Sequence, residues 1–101
     1  MEKLFTYGTL QYPEIQEKLL RRTLIGVSDT LLDYELKIGV VEIDGEKFDA
    51  ATDKPGERIN GVVYELSKDE LHKIDQYEGK SYKRIKVNLL SGVESWVYIQ
   101  S

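Results

Sequence analysis

Apolar residues along the chain fall into short alternating runs, and only two stretches carry helical spacing. Lys3 to Tyr7 (Lys-Leu-Phe-Thr-Tyr) is aromatic and β-compatible and predicts a first strand. It ends in Gly8-Thr9-Leu10, and Pro13 follows, a residue suited to the first turn of a helix because its missing N–H costs nothing there. Ile15, Leu19 and Leu20 then form an apolar stripe for a helix from Pro13 to Arg21. Thr23 to Thr30 and Tyr34 to Ile43 predict two strands joined near Leu32-Asp33. Phe48 to Thr52 predicts another, with Pro55-Gly56 as a turn before Ile59 to Leu66.

Ser67-Lys68-Asp69-Glu70 is a capping box, in which the serine hydroxyl and the glutamate carboxylate satisfy free backbone donors reciprocally. The helix it opens is expected to run to Tyr77 or Glu78 and to stop at Gly79. Tyr82 to Leu90 and Glu94 to Gln100 complete the chain as a hairpin around Ser91-Gly92. The order β-α-β-β-β-β-α-β-β predicts an α+β fold, a small mixed β-barrel or roll with two flanking helices, rather than a doubly wound parallel sheet. No repeat or linker divides it, so residues 1–101 are read as a single domain.

Composition narrows the chemistry. Cysteine is absent and His72 is the one histidine, so no zinc or iron–sulfur site is expected and no disulfide framework either. Lys and Arg number 14 against 18 Asp and Glu, a net charge of −4, which argues against a basic nucleic-acid binder. The longest apolar runs, Leu24-Ile25-Gly26-Val27 and Ile38-Gly39-Val40-Val41, are far shorter than the ~20 residues of a membrane span. Met1-Glu2-Lys3 opens no signal peptide, and a cytoplasmic location is the expectation. Any catalysis must rest on carboxylates, hydroxyls and backbone groups, without a cofactor.

The second helix holds a carboxylate on an apolar stripe. Leu71 and Ile74 define its inward face, and the next position on that face is Glu78. Two readings stay open. Tyr77 continues the stripe and Glu78 points to solvent beside Lys80, or Glu78 is held in a protected place. In the second case burial and the negative end of the helix both disfavour its charge and tune it for proton transfer, unless Arg84 or Lys80 pairs with it.

Tyr7-Gly8-Thr9-Leu10 is the second candidate. It is either an ordinary turn or a backbone nest whose successive N–H groups bind a carboxylate. It is not a phosphate-binding loop, which needs a second glycine and a following lysine.

Taken together, Leu4-Phe5-Thr6-Tyr7-Gly8-Thr9-Leu10, then Ile74-Asp75-Gln76-Tyr77-Glu78-Gly79, then Tyr82-Lys83-Arg84 resemble the gamma-glutamyl cyclotransferase-like family. Asn60-Gly61-Val62-Val63-Tyr64-Glu65 fits it too, and the resemblance runs through the whole chain in order. It implies a small α+β barrel acting on a small gamma-glutamyl compound, with release of an amine or amino acid and formation of 5-oxoproline. It matches Glu78 to the family's general acid/base, and Tyr7, Gly8, Thr9 and Leu10 to its substrate-binding loop. The alternative is a non-catalytic module binding a small metabolite in the same pocket.

Tyr82 and Arg84 lie on the opposite strand face from Ile85, Val87 and Leu89. Tyr82 is expected to orient Glu78 or substrate. Arg84 either faces the pocket or belongs to a solvated basic face with Lys80, Lys83 and Lys86. Trp96 and Tyr98 read as core or barrel-lining residues, and His72 as exposed. Asp49 departs from the family pattern, where proline is frequent after Phe48. The compact Glu42 to Arg58 segment and the early end of the chain imply that the substrate-covering loops of larger members are missing.

Overall fold

The computed structural model describes residues 1–101. Strand β1 (Glu2–Thr6) is followed by a 3-10 turn (Thr9–Gln11), helix α1 (Pro13–Leu20), the long strands β2 (Val27–Ile43) and β3 (Glu46–Leu66), helix α2 (Lys68–Glu78), a second 3-10 turn (Gly79–Ser81), and strands β4 (Tyr82–Asn88) and β5 (Glu94–Gln100). The strands form one five-stranded sheet in the order β2-β3-β1-β5-β4. The α+β expectation holds: a curled mixed sheet, a half-barrel, carries two helices.

β1 occupies the middle of that sheet, antiparallel to β3 and parallel to β5. Alternation along it feeds two separate cores. Leu4 points to the helices and packs with Leu10, Leu20, Leu66, Leu71, Ile74 and Tyr98. Phe5 points inside the curl and packs with Leu31, Ala51, Ile59, Leu89 and Val97. The close seating of β1 on β3 requires Gly61, because a Cβ there would collide with the Thr6 carbonyl and the Phe5 ring.

The curl is closed at one side by the β4–β5 loop. The Leu90 N–H donates to the Thr30 carbonyl at 2.9 Å, and Ser91 donates through both its N–H and its hydroxyl to Asp29.

Two of the expected turns are not reversals. Leu32-Asp33 and Pro55-Gly56 face each other inside one continuous hairpin, where pairing jumps from Leu32↔Arg58 to Tyr34↔Asp53. Asp33 takes a left-handed conformation (φ 65°) and its Oδ1 accepts from the Gly56 N–H at 3.0 Å. Turn-forming residues here build a bulge, which leaves the strands paired on both sides and bends them. The chain reverses instead at Asp44-Gly45, both with positive φ (51° and 82°), as a two-residue hairpin turn demands. The strand expected from Thr23 begins only at Val27.

α2 starts as its sequence requires. The Ser67 hydroxyl accepts from the Glu70 N–H at 3.1 Å, and Glu70 Oε1 accepts from the Ser67 N–H at 2.9 Å. Gly79 ends it with φ 70°. In α1, Leu20 is buried as expected, and so is Gln16. The Gln16 amide donates to the Leu10 carbonyl at 2.9 Å and accepts from the Leu24 N–H at 2.8 Å, which is why a polar side chain is tolerated inside. No helix is long and apolar enough to cross a membrane.

Candidate active site

The end of β1, the end of α2 and the start of β4 converge on a cavity of about 400 Å³. Its walls include Tyr7, Gly8, Thr9 and Leu10 from the loop after β1, Tyr77 and Glu78 from α2, and Tyr82 from β4. Lys47, Phe48 and Asp49 of β3 and Tyr98 of β5 also line it. All six residues singled out in the sequence line this cavity, although the Leu10 side chain is mostly committed to the helix-side core.

The loop is held by its carbonyls. The Gln11 amide donates to the Thr6 carbonyl at 2.9 Å, and Gln16 takes the Leu10 carbonyl. The backbone N–H groups at the start of a helical turn have no partner within it, and the Gly8–Leu10 segment that opens the 3-10 turn lines the cavity. Gly8 is not left-handed (φ −129°), and a Cβ built on it meets no protein atom within 4 Å. The missing side chain therefore leaves its space to the cavity. Thr9 Oγ1 and the Tyr77 hydroxyl share a hydrogen bond at 3.0 Å, tying the loop to the last turn of α2.

Glu78 is half-buried on the face begun by Leu71 and Ile74, while Tyr77 is 40% exposed. Of the two readings, the stripe continues through Glu78. Its carboxyl makes no hydrogen bond or ion pair, and burial alone pushes its pKa up to about 7. Neither Lys80 nor Arg84 opposes the shift. Arg84 instead forms a bidentate pair with Asp75, at 2.8 and 2.9 Å, and sits 4.1 Å from the centroid of the Trp96 ring.

Arg84 is therefore neither in the main cavity nor on a free basic face. It lines a shallower recess with Asp75, Gly79, Tyr82, Trp96 and Tyr98.

The tyrosines are anchored across strands. The Tyr7 hydroxyl donates to the Tyr98 carbonyl at 2.6 Å and accepts from the Ala51 N–H at 3.1 Å. Tyr82 donates to the Asp49 carbonyl at 2.8 Å, not to Glu78. Burial raises both pKa values, that of Tyr82 to about 12, so these phenols stay protonated near neutrality. His72 is exposed.

Sequence reasoning placed Tyr98 in the core or barrel lining without a part in the site, and gave Asp75 none. The signal for Asp75 was its place one turn before Glu78 on the same helix face.

Comparison with known proteins identifies the family. Residues 4–101 match the family described as "Gamma-glutamyl cyclotransferase, AIG2-like". The chain belongs to the gamma-glutamyl cyclotransferase, AIG2-like family. Among its relatives, AIG2-like protein D of Arabidopsis thaliana is 29% identical over 91 residues, 89% of this chain and 57% of that protein. A solved gamma-glutamyl cyclotransferase superposes with a TM-score of 0.82 at 19% identity, over 99% of this chain and 66% of the other. An Arabidopsis thaliana protein determined in solution gives 0.81 at 24% identity, over 98% and 61%. The chain thus spans little more than half the length of the curated relative it matches.

Proposed function

We propose that the protein is a gamma-glutamyl cyclotransferase-type enzyme, releasing an amine or amino acid from a small gamma-glutamyl compound and forming 5-oxoproline. The observation that carries this reading is a carboxyl without hydrogen bond or ion pair, Glu78, its pKa raised by burial to about 7 in a cavity that the Tyr7–Leu10 loop also lines.

The chemistry follows from the substrate's own groups. Its α-carboxylate binds the backbone N–H groups of Gly8, Thr9 and Leu10, which supply an anion site without a cationic side chain. Glu78 takes a proton from the α-ammonium. The freed amine attacks the γ-carbonyl carbon of the same molecule and closes a five-membered ring. As the tetrahedral centre collapses, the bond to the departing nitrogen breaks and protonated Glu78 returns its proton there. The ring nitrogen sheds its extra proton, which the released amine takes up, so the products are 5-oxoproline and an ammonium, and Glu78 is regenerated as carboxylate.

The reaction consumes no cofactor and needs no enzyme nucleophile. Holding the reacting atoms together can supply ~7–11 kcal/mol of the barrier. A carboxyl near 7 suits a group that must both accept and deliver a proton close to neutral pH. Tyr7 and Tyr82 shape the pocket around the bound compound.

The test is incubation with a panel of gamma-glutamyl compounds and detection of 5-oxoproline by mass spectrometry, alongside Glu78→Gln. Turnover of at least one compound, lost in the variant, is the expected result. Equal product from both proteins would remove Glu78 from its role. Binding of the panel without any product would favour a non-catalytic metabolite-binding module.

A further inference from the structure

Asp75 and Glu78 project from one face of α2, one turn apart, into opposite surroundings. Asp75 accepts two hydrogen bonds from Arg84 and a third from the Tyr98 hydroxyl at 2.5 Å. Glu78 accepts none. The Asp75 cluster is itself braced. Arg84 lies against Trp96, and the Trp96 indole N–H donates to Glu2 at 3.1 Å, so α2, β4, β5 and β1 meet in one chain of contacts.

Three phenols share the cavity with Glu78: Tyr7 just after β1, Tyr82 of β4 and Tyr98 of β5. Each proton is committed elsewhere, to the Tyr98 carbonyl, the Asp49 carbonyl and the Asp75 carboxylate respectively. β3 contributes Lys47 and Asp49 to the same cavity, and Tyr77 precedes Glu78 on α2. Lys80 follows in the next turn. Lys47, Lys80 and Arg84 form no ion pair with Glu78.

We propose that the Asp75–Arg84 pair is a positioning element of the site, in which Asp75 accepts the Tyr98 hydrogen bond and so keeps the Glu78 carboxyl clear of any competing donor. The inference rests on Glu78 being the proton carrier. Tyr7 and Tyr82 are held by backbone carbonyls that no side-chain change removes. Tyr98 alone of the three is turned away by a side chain, and an ionised one is the stronger acceptor. Arg84 has two tasks in this arrangement. It keeps Asp75 ionised, and it neutralises a negative charge that would otherwise act on Glu78 from one turn away.

Removing the two partners has opposite consequences. Asp75→Ala releases both the Tyr98 hydroxyl and the Arg84 guanidinium, donors that stabilise the Glu78 carboxylate. Arg84→Met leaves Tyr98 engaged and exposes Glu78 to an uncompensated Asp75.

The experiment is a carboxyl ¹³C NMR titration of the full chain, with the Glu78 resonance assigned through Glu78→Gln. The Glu78 midpoint should fall by about one pH unit in Asp75→Ala, a tenfold loss of proton affinity, and should rise in Arg84→Met. Asp75→Asn, the gentler change, should shift it down by less. Adding Tyr98→Phe to Asp75→Ala should recover part of the shift. Midpoints that stay put, or move the same way in Asp75→Ala and Arg84→Met, overturn the proposal; a merely structural pair would give one of those results. The acid limb of kcat/KM should track the NMR midpoints. Opposite NMR shifts in a protein that turns over no gamma-glutamyl compound would uphold this arrangement of charge and overturn the catalytic reading.

Discussion

Asp49 and Gly39 face each other across the β2–β3 hairpin, and the Gly39 N–H donates to Asp49 Oδ1 at 3.0 Å. Gly39 is left-handed (φ 66°) inside a bulge where pairing jumps from Lys37↔Ala50 to Val41↔Phe48. The same device, an aspartate opposite a left-handed glycine, recurs at Asp33 and Gly56. At Asp49 it bears on the site, because the carbonyl of the same residue holds the Tyr82 hydroxyl.

Asp49→Ala removes the bulge contact but keeps the carbonyl. The expected cost is that of one hydrogen bond, about 0.5–1.5 kcal/mol in chemical unfolding. KM for the substrate should rise as the relaxed bulge shifts the carbonyl that anchors Tyr82. Asp49→Asn, which retains an acceptor oxygen, should restore most of both. Failure of Asn to rescue would mean that the bulge does not depend on this contact.

Gly8 offers a cleaner separation of folding from binding. A Cβ there touches nothing in the protein, and its backbone lies outside the left-handed region, so Gly8→Ala should change stability by less than about 0.5 kcal/mol. The methyl group enters the cavity, and KM should rise about tenfold, the equivalent of ~1.4 kcal/mol of binding. A thermal melt and a KM measured on one preparation decide it. An unchanged KM would show that substrate does not approach this segment closely.

Glu78 links pH to stability as well as to activity. Its pKa lies above the ordinary 4.5, near 7, so the folded state binds its proton more tightly than the unfolded chain. The stabilisation is complete below about 4.5 and is lost as pH rises through about 7. Urea unfolding at pH 5 and pH 8 should show that loss in the native protein and not in Glu78→Gln. In the same variant kcat should fall by about 10²–10⁴, the range of general acid–base help. In the native protein kcat/KM should rise with pH to a plateau above 7, as the carboxylate forms.

Glu70 has the opposite sign. Arg22, at 2.8 Å, and the Ser67 N–H hold its pKa down to about 2. It contributes stability above about 4.5 that disappears as pH falls toward 2. Arg22→Ala should move the acid-unfolding midpoint to higher pH. Ser67→Ala should cost about 1 kcal/mol at neutral pH through loss of the cap. Unaltered acid unfolding in Arg22→Ala would assign the low pKa to the cap alone.

What could be read in the sequence was local. The capping box of α2, the aromatic, β-compatible run of β1 and the Ser91-Gly92 hairpin each declare themselves within a few residues, and the structure has all of them. The β2–β3 hairpin was misjudged because Asp33, Pro55 and Gly56 serve equally well in a reversal or in a bulge. Only the partner strand decides between them. Gln16 and Asp75 escaped notice for a related reason. Their meaning lies in partners that the chain brings from elsewhere, Leu10 and Leu24 for one, Arg84 and Tyr98 for the other. The resemblance that gathered Tyr7 to Leu10 with Glu78 supplied the long-range pairing that periodicity lacks, and the cavity contains both segments.

The pairing of the first strand with the last also governs when this site can exist during synthesis. Tyr7 reaches Tyr98 across 91 positions of sequence, and β1 finds its parallel neighbour only in β5. A nascent chain still lacking β5 already holds the loop after β1 and the whole of α2, yet it has no wall on which to assemble them. Folding must wait for contacts of high sequence separation, which are slow to form. The cavity beside Glu78 is thus complete only once β5 has been made and has joined the sheet.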